Sequence, residues 1–141
     1  MNRTGLVTIL LMVTLPGAFV QSMNDRVSVL TEDVGPANPE KYRSVTDGAD
    51  WKNPSLTVQP SGIEIRTSKA DGPLTVPVIG VIRYLSTLPM TAWPYGLVVA
   101  VSDNGVKDGS KDTDSRIKKS RTDLMRRLHK AGVKVELWPS A

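Results

Sequence analysis

The chain has 141 residues, a formal net charge of +4, 40% hydrophobic residues and no cysteine. Without cysteine there is no disulfide, no thiolate metal site, no cysteine nucleophile and no lipid anchor on an N-terminal cysteine. A charge this modest for the length points to an anionic contact on one face at most, and gives no indication of nucleic acid.

The first 22 residues have the layout of a secretory signal peptide. Arg3 precedes an uncharged run from Thr4 to Val20, Leu6 to Leu15 is mostly apolar, Pro16-Gly17 breaks any helix, and Gln21-Ser22 places modest side chains at a cut. Cleavage after Ser22 is expected, with a secreted or periplasmic address. The competing reading is an uncleaved anchor, since a spanning helix needs about 20 apolar residues and at least about 17. Membrane association is expected only in that second case.

Residues 23–54 read as an extended N-terminal arm and loop, and residues 55–141 as an α+β domain. Gly35-Pro36-Ala37-Asn38-Pro39 keeps the arm irregular and loosely docked. Tyr42 to Pro54 reads as a loop that lays one or two aromatics on the domain. Residues 23–141 are one domain's length, enough to bury roughly 65% of the unfolded surface without disulfides. Charge is uneven: 6 Lys and Arg against 8 Asp and Glu over residues 23–75, then 11 against 6 over residues 76–141.

Leu56 and Val58 alternate with Thr57 and Gln59, Pro60-Ser61-Gly62 is turn chemistry, and Ile63 and Ile65 alternate with Glu64 and Arg66. That is a β-hairpin with one buried face. Thr75 is placed to cap a helix that ends at Pro89. Along it Val78, Val81, Ile82, Leu85 and Leu88 share one face and Arg83 and Thr87 the other. Leu97 to Val101 is apolar throughout, as a strand buried on both faces would be. A polar loop from Ser102 to Ser115 follows, with Asp112, Thr113 or Asp114 able to cap the next helix. Arg116 to Ala131 is the clearest helix: Ile117, Leu124 and Leu128 lie on one face, and Lys119, Arg126, Arg127 and Lys130 on the other. Gly132 suits its C-terminal stop. Val133, Val135 and Leu137 then alternate with Lys134, Glu136 and Trp138 in a last strand.

The expected fold is therefore α+β, a small mixed β-sheet with the order β-β-α-β-α-β and two helices on one face. The last three elements form a β-α-β unit with parallel strands and a right-handed crossover.

Few residues point to chemistry. Asp103, Asp108, Asp112 and Asp114 offer oxygen ligands, but the positions that a calcium loop gives to glycine and glutamate hold Thr113 and Lys119. No metal or cofactor is expected. His129 stands among cations, no serine lies in a nucleophile turn, and no catalytic residue is assigned. The candidate binding residues are the cations Lys119, Arg126, Arg127 and Lys130, with Trp138, Trp93 and Tyr95 as aromatic contact area.

The order of elements, with the run Leu128-His129-Lys130-Ala131-Gly132-Val133-Lys134-Val135, resembles the periplasmic domain of the ExbD/TolR energy-coupling family over residues 56–137. That family's anchor helix carries an aspartate coupled to proton flow. Residues 4–20 here hold no acidic side chain, so the activity is not carried over.

The functional expectation is an exported, non-catalytic binding domain of the cell envelope. Its partner would be an envelope protein or an anionic surface, with the last strand's edge available for a homodimer. The alternative is a glycan-binding or hydrolytic protein that uses tryptophan, tyrosine and loop carboxylates.

Overall fold

The computed structural model describes residues 30, 33–68, 72–103 and 110–139. The signal-peptide reading, most of the arm before Asp33, and Asp108 of the acidic loop lie outside them. No helix among the described residues is long and apolar enough to cross a membrane.

Strands β1 (Ser55–Gln59) and β2 (Gly62–Arg66) form the expected antiparallel hairpin, with Leu56 opposite Ile65 and Val58 opposite Ile63. Those four side chains are buried because period-two alternation sends them all to one face. Gly62 has a φ of +144°, and a side chain there would meet the Val76 carbonyl at 2.7 Å. The glycine thus lets a third strand close on the hairpin.

That third strand, β3 (Leu74–Val76), pairs antiparallel with β2 and corrects the expected element order. The helix expected from Thr75 starts later. Pro77 ends β3, a 3-10 turn runs Val78–Gly80, and helix α1 covers only Val81–Leu85. β-Branched residues and Gly80 weaken helix formation here. The Ser86 and Thr87 hydroxyls then bond back to the carbonyls of Arg83 and Tyr84. The apolar face itself is as read: Val81 and Leu85 are buried, and Val78, Ile82 and Leu88 pack against the same core.

Strand β4 (Val98–Asp103) lies between β1 and β5 (Lys134–Leu137), parallel to both, in a mixed sheet of order β3-β2-β1-β4-β5. Helix α2 runs Lys111–Lys130, five residues longer at its start than expected. Ser110 is the N-cap, and its hydroxyl oxygen accepts from the Thr113 N–H. Asp112 and Asp114 occupy the first turn, where carboxylates favour the helix dipole. At the far end the Gly132 N–H bonds to His129 O and the Val133 N–H to Leu128 O, with Gly132 at φ +73°. This is a Schellman stop, and Val133 and Leu128 meet in the core behind it.

Both helices cover one face of the sheet, packing on Leu56, Val58, Ile63, Ile65, Val99 and Val101. Among the described residues the other face is covered at one end, where Tyr42, Trp51 and Tyr95 sit over Val98 and Ala100. The chain from Gly35 to Pro54 builds that cover. It is pinned rather than loosely docked: Leu97 N–H bonds to Gly35 O, Asn38 N–H to Tyr95 O, and Leu30 reaches the core. Asn53, 2% exposed, donates to the carbonyls of Gly96 and Val98 at 2.8 Å and accepts from the Tyr95 N–H at 2.9 Å.

Candidate functional site

Two surfaces gather the candidate residues. The first is the outer face of α2, a helix that carries eight Lys and Arg against three Asp along its length. The whole chain is only +4, so one helix holds the basic surplus. Ile117, Leu124 and Leu128 turn inward, and the 3.6 period therefore turns Lys119, Arg126 and Lys130 outward, where all three are exposed.

Asp123 organises part of this face. Arg126 Nη2 lies 2.6 Å and Arg127 Nε 3.2 Å from the same oxygen, Oδ1. The Arg126 hydrogen bond is the main influence holding the Asp123 carboxyl below its ordinary range, partial loss of water opposes it, and Arg127 reinforces Arg126. One carboxylate thus serves two guanidiniums. Lys119 and Lys130 have no ion-pair partner among the described residues. Arg121 faces another way and ties α2 to the end of β4 through Asp103 at 2.7 Å.

The second surface is the uncovered end of the sheet's other face. Ser55, Thr57 and Gln59 of β1, Glu64 and Arg66 of β2, and Ser102 of β4 line a groove of about 540 Å³. The indoles of Trp138 and Trp51 wall it, their ring centres 5.9 Å apart at 62°. Its polar groups hold one another in place. Glu64 accepts from Gln59 Nε2 and from Arg66 Nε, both at 2.7 Å, and the hydroxyls of Thr57 and Ser102 share a hydrogen bond at 3.2 Å. Both Glu64 oxygens are therefore engaged. Ordered polar side chains beside an aromatic wall suit binding of a polar ligand.

The aromatic candidates separate. Trp138, just past the end of β5, is half-buried and lines the groove. Tyr95 is buried 5.0 Å from Trp51 and 5.7 Å from Tyr42, centre to centre, and its hydroxyl donates to Asp50 O and accepts from Lys52 N–H. Trp93 is 4% exposed in the core on the helix side of the sheet. Trp93 and Trp138 thus lie on opposite sides, and no cleft joins them. Lys134 and Glu136 lie on β5, an edge strand, with Lys134 Nζ 5.9 Å from the centre of the Tyr42 ring.

Among the described residues no group of three or more His, Asp or Glu is placed to hold a metal. The sequence reading did not single out Asn53, nor the Gln59–Glu64–Arg66 set. The second had a visible signal: all three residues are the polar partners of the hairpin's alternation. No family model matches the chain, and no curated protein or solved structure is significantly similar to it.

Proposed function

We propose that this is an exported, non-catalytic binding domain of the cell envelope that docks on an anionic surface through the outer face of α2. The observation that carries the reading is the concentration of eight cations on one helix, with Lys119, Arg126 and Lys130 exposed together. Such a face attracts an anionic partner over about a Debye length, ~8 Å at physiological salt. The signal-peptide layout of residues 1–22 supports the address.

The test is co-sedimentation of the purified protein with isolated envelopes at low and high salt. The native protein is compared with a triple variant carrying Lys119→Glu, Arg126→Glu and Lys130→Glu. The expected result is salt-sensitive capture that the variant loses. Undiminished capture of the variant removes the cationic face from the reading. Finding the full-length chain folded in the cytosol, untrimmed and away from any bilayer, removes the address.

One observation favours the glycan reading as a second function: Trp138, Trp51, Glu64 and Asp103 line a single groove. Stacking of a sugar on Trp138 would shift its emission. Oligosaccharide titration that leaves the tryptophan spectrum unchanged removes this reading.

A further inference from the structure

A second concavity, of about 620 Å³, lies between the 3-10 turn Val78–Gly80 and α2. One wall is Val78; Lys118, Lys119 and Arg126 stand on the other. Asp123 also borders it, but two guanidiniums, Arg126 and Arg127, share its one carboxylate, so the cluster stays net positive. The next residue of the turn, Ile79, is 68% exposed. On the edge strand just before it Leu74 is 44% exposed. Leu74 pairs with Ile65, so it projects on the helix side of the sheet. The turn that supplies the apolar wall of this concavity therefore also carries an exposed isoleucine, across from three cations.

We infer that this turn and these cations form a seat for an anionic phospholipid bilayer. The inference rests on the proposed docking role of α2 and names the surface it meets. A single exposed isoleucine needs no explanation. An exposed isoleucine beside three clustered cations is different, because the two kinds of group call for different partners. A soluble polyanion would satisfy Lys118, Lys119 and Arg126 and leave Ile79 in water. The bilayer interface takes both: lipid phosphates meet the cations, and the acyl boundary accepts the aliphatic side chain. The long cationic stems also let their charged ends reach the headgroups while the turn lies deeper.

The experiment is co-sedimentation of the purified protein with two kinds of vesicle, phosphatidylcholine alone and phosphatidylcholine mixed with phosphatidylglycerol. Dextran sulfate serves as the soluble polyanion. Residues 4–20 are identical in every variant, so the neutral vesicles measure whatever they contribute. Binding to the mixed vesicles should weaken about fivefold for each of Lys118→Gln, Lys119→Gln and Arg126→Gln. Ile79→Ser should weaken vesicle binding about tenfold and leave dextran sulfate binding unchanged. These side chains are exposed, and an unchanged unfolding midpoint confirms that each variant is folded. Equal affinity of the native protein and Ile79→Ser for the mixed vesicles overturns the inference. Capture by isolated envelopes without binding to mixed vesicles also overturns it, while leaving the docking role intact. Capture by neither overturns both.

Discussion

Asn53→Ala is expected to be among the most damaging single changes outside the apolar core. The amide joins the chain before β1 to the chain entering β4, across more than forty residues, through three hydrogen bonds to backbone groups. The Gly96 carbonyl is only part-buried and can turn to water when the amide is removed. The Val98 carbonyl and the Tyr95 N–H are buried and cannot. Each buried group left unpaired costs about 1–3 kcal/mol, so the loss should be about 3–4 kcal/mol. A domain is typically stable by about 5–15 kcal/mol, so this is a large fraction. Urea unfolding followed by tryptophan emission should show the midpoint falling by about 1.5–2 M with an unchanged slope. Asn53→Asp adds a sign to the test. The new carboxyl would be buried against two carbonyl oxygens, which raises its folded-state pKa above the unfolded value of about 3.9. Its charge penalty is absent below that value and grows as pH rises through it. Asn53→Asp should therefore be worse than Asn53→Ala at pH 7 and recover at pH 3. A loss below about 1 kcal/mol for Asn53→Ala would refute the reasoning, because then this amide does not hold the segment down.

Gly96→Ala should also loosen that segment, since Gly96 has a φ of +81° and a side chain there would run into the Pro36 carbonyl. The backbone conformation alone costs about 1–2 kcal/mol; the check is a lower unfolding midpoint together with changed emission from Trp51. The Asp123 carboxyl, held down mainly by Arg126, should titrate below the ordinary aspartate value of 3.8 by NMR, and Arg126→Gln should raise its midpoint. A depressed carboxyl adds stability above its unfolded pKa, so this contribution is lost only as pH falls through the lower folded value.

The hairpin and α2 were legible because each repeats a strong period over several residues, and β4 because its run is apolar throughout. Leu56, Val58, Ile63 and Ile65 need only alternation to find one face. β3 was not legible. Three residues are too few to show a period, and Thr75 before Pro77 imitates a helix start. What places Leu74–Val76 in the sheet is the open edge of β2 and the missing side chain at Gly62, both of which are tertiary facts. The start of α2 differs from the sequence expectation for a local reason: Asp112, Thr113 and Asp114 are all good caps. The Ser110 hydroxyl wins because it meets the Thr113 N–H, and the two hydroxyls also bond to each other at 2.6 Å. The tryptophans show where local reading stops. Trp93-Pro94 and Trp138-Pro139 are the same dipeptide, yet one indole is in the core and the other walls a groove. Nothing within a few residues of either decides between these outcomes; the faces of the assembled sheet do.

This geometry also decides which surface can be tested cleanly. Lys119, Arg126 and Lys130 stand on a helix whose apolar face is already filled by Ile117, Leu124 and Leu128. Reversing those charges changes the field of the face without opening the core, so a binding loss there reports on binding. Trp138 has no such independence. Its indole packs 5.9 Å from Trp51, which in turn touches Tyr42 and Tyr95. Removing it exposes the cluster that holds the segment before β1, and a lost ligand would be confounded with a loosened fold. The groove is better tested at Gln59 and Ser102, which line it and belong to neither apolar cluster. Gln59→Ala removes a donor from Glu64 on a part-buried surface where water can replace it, so the fold should hold while groove recognition changes.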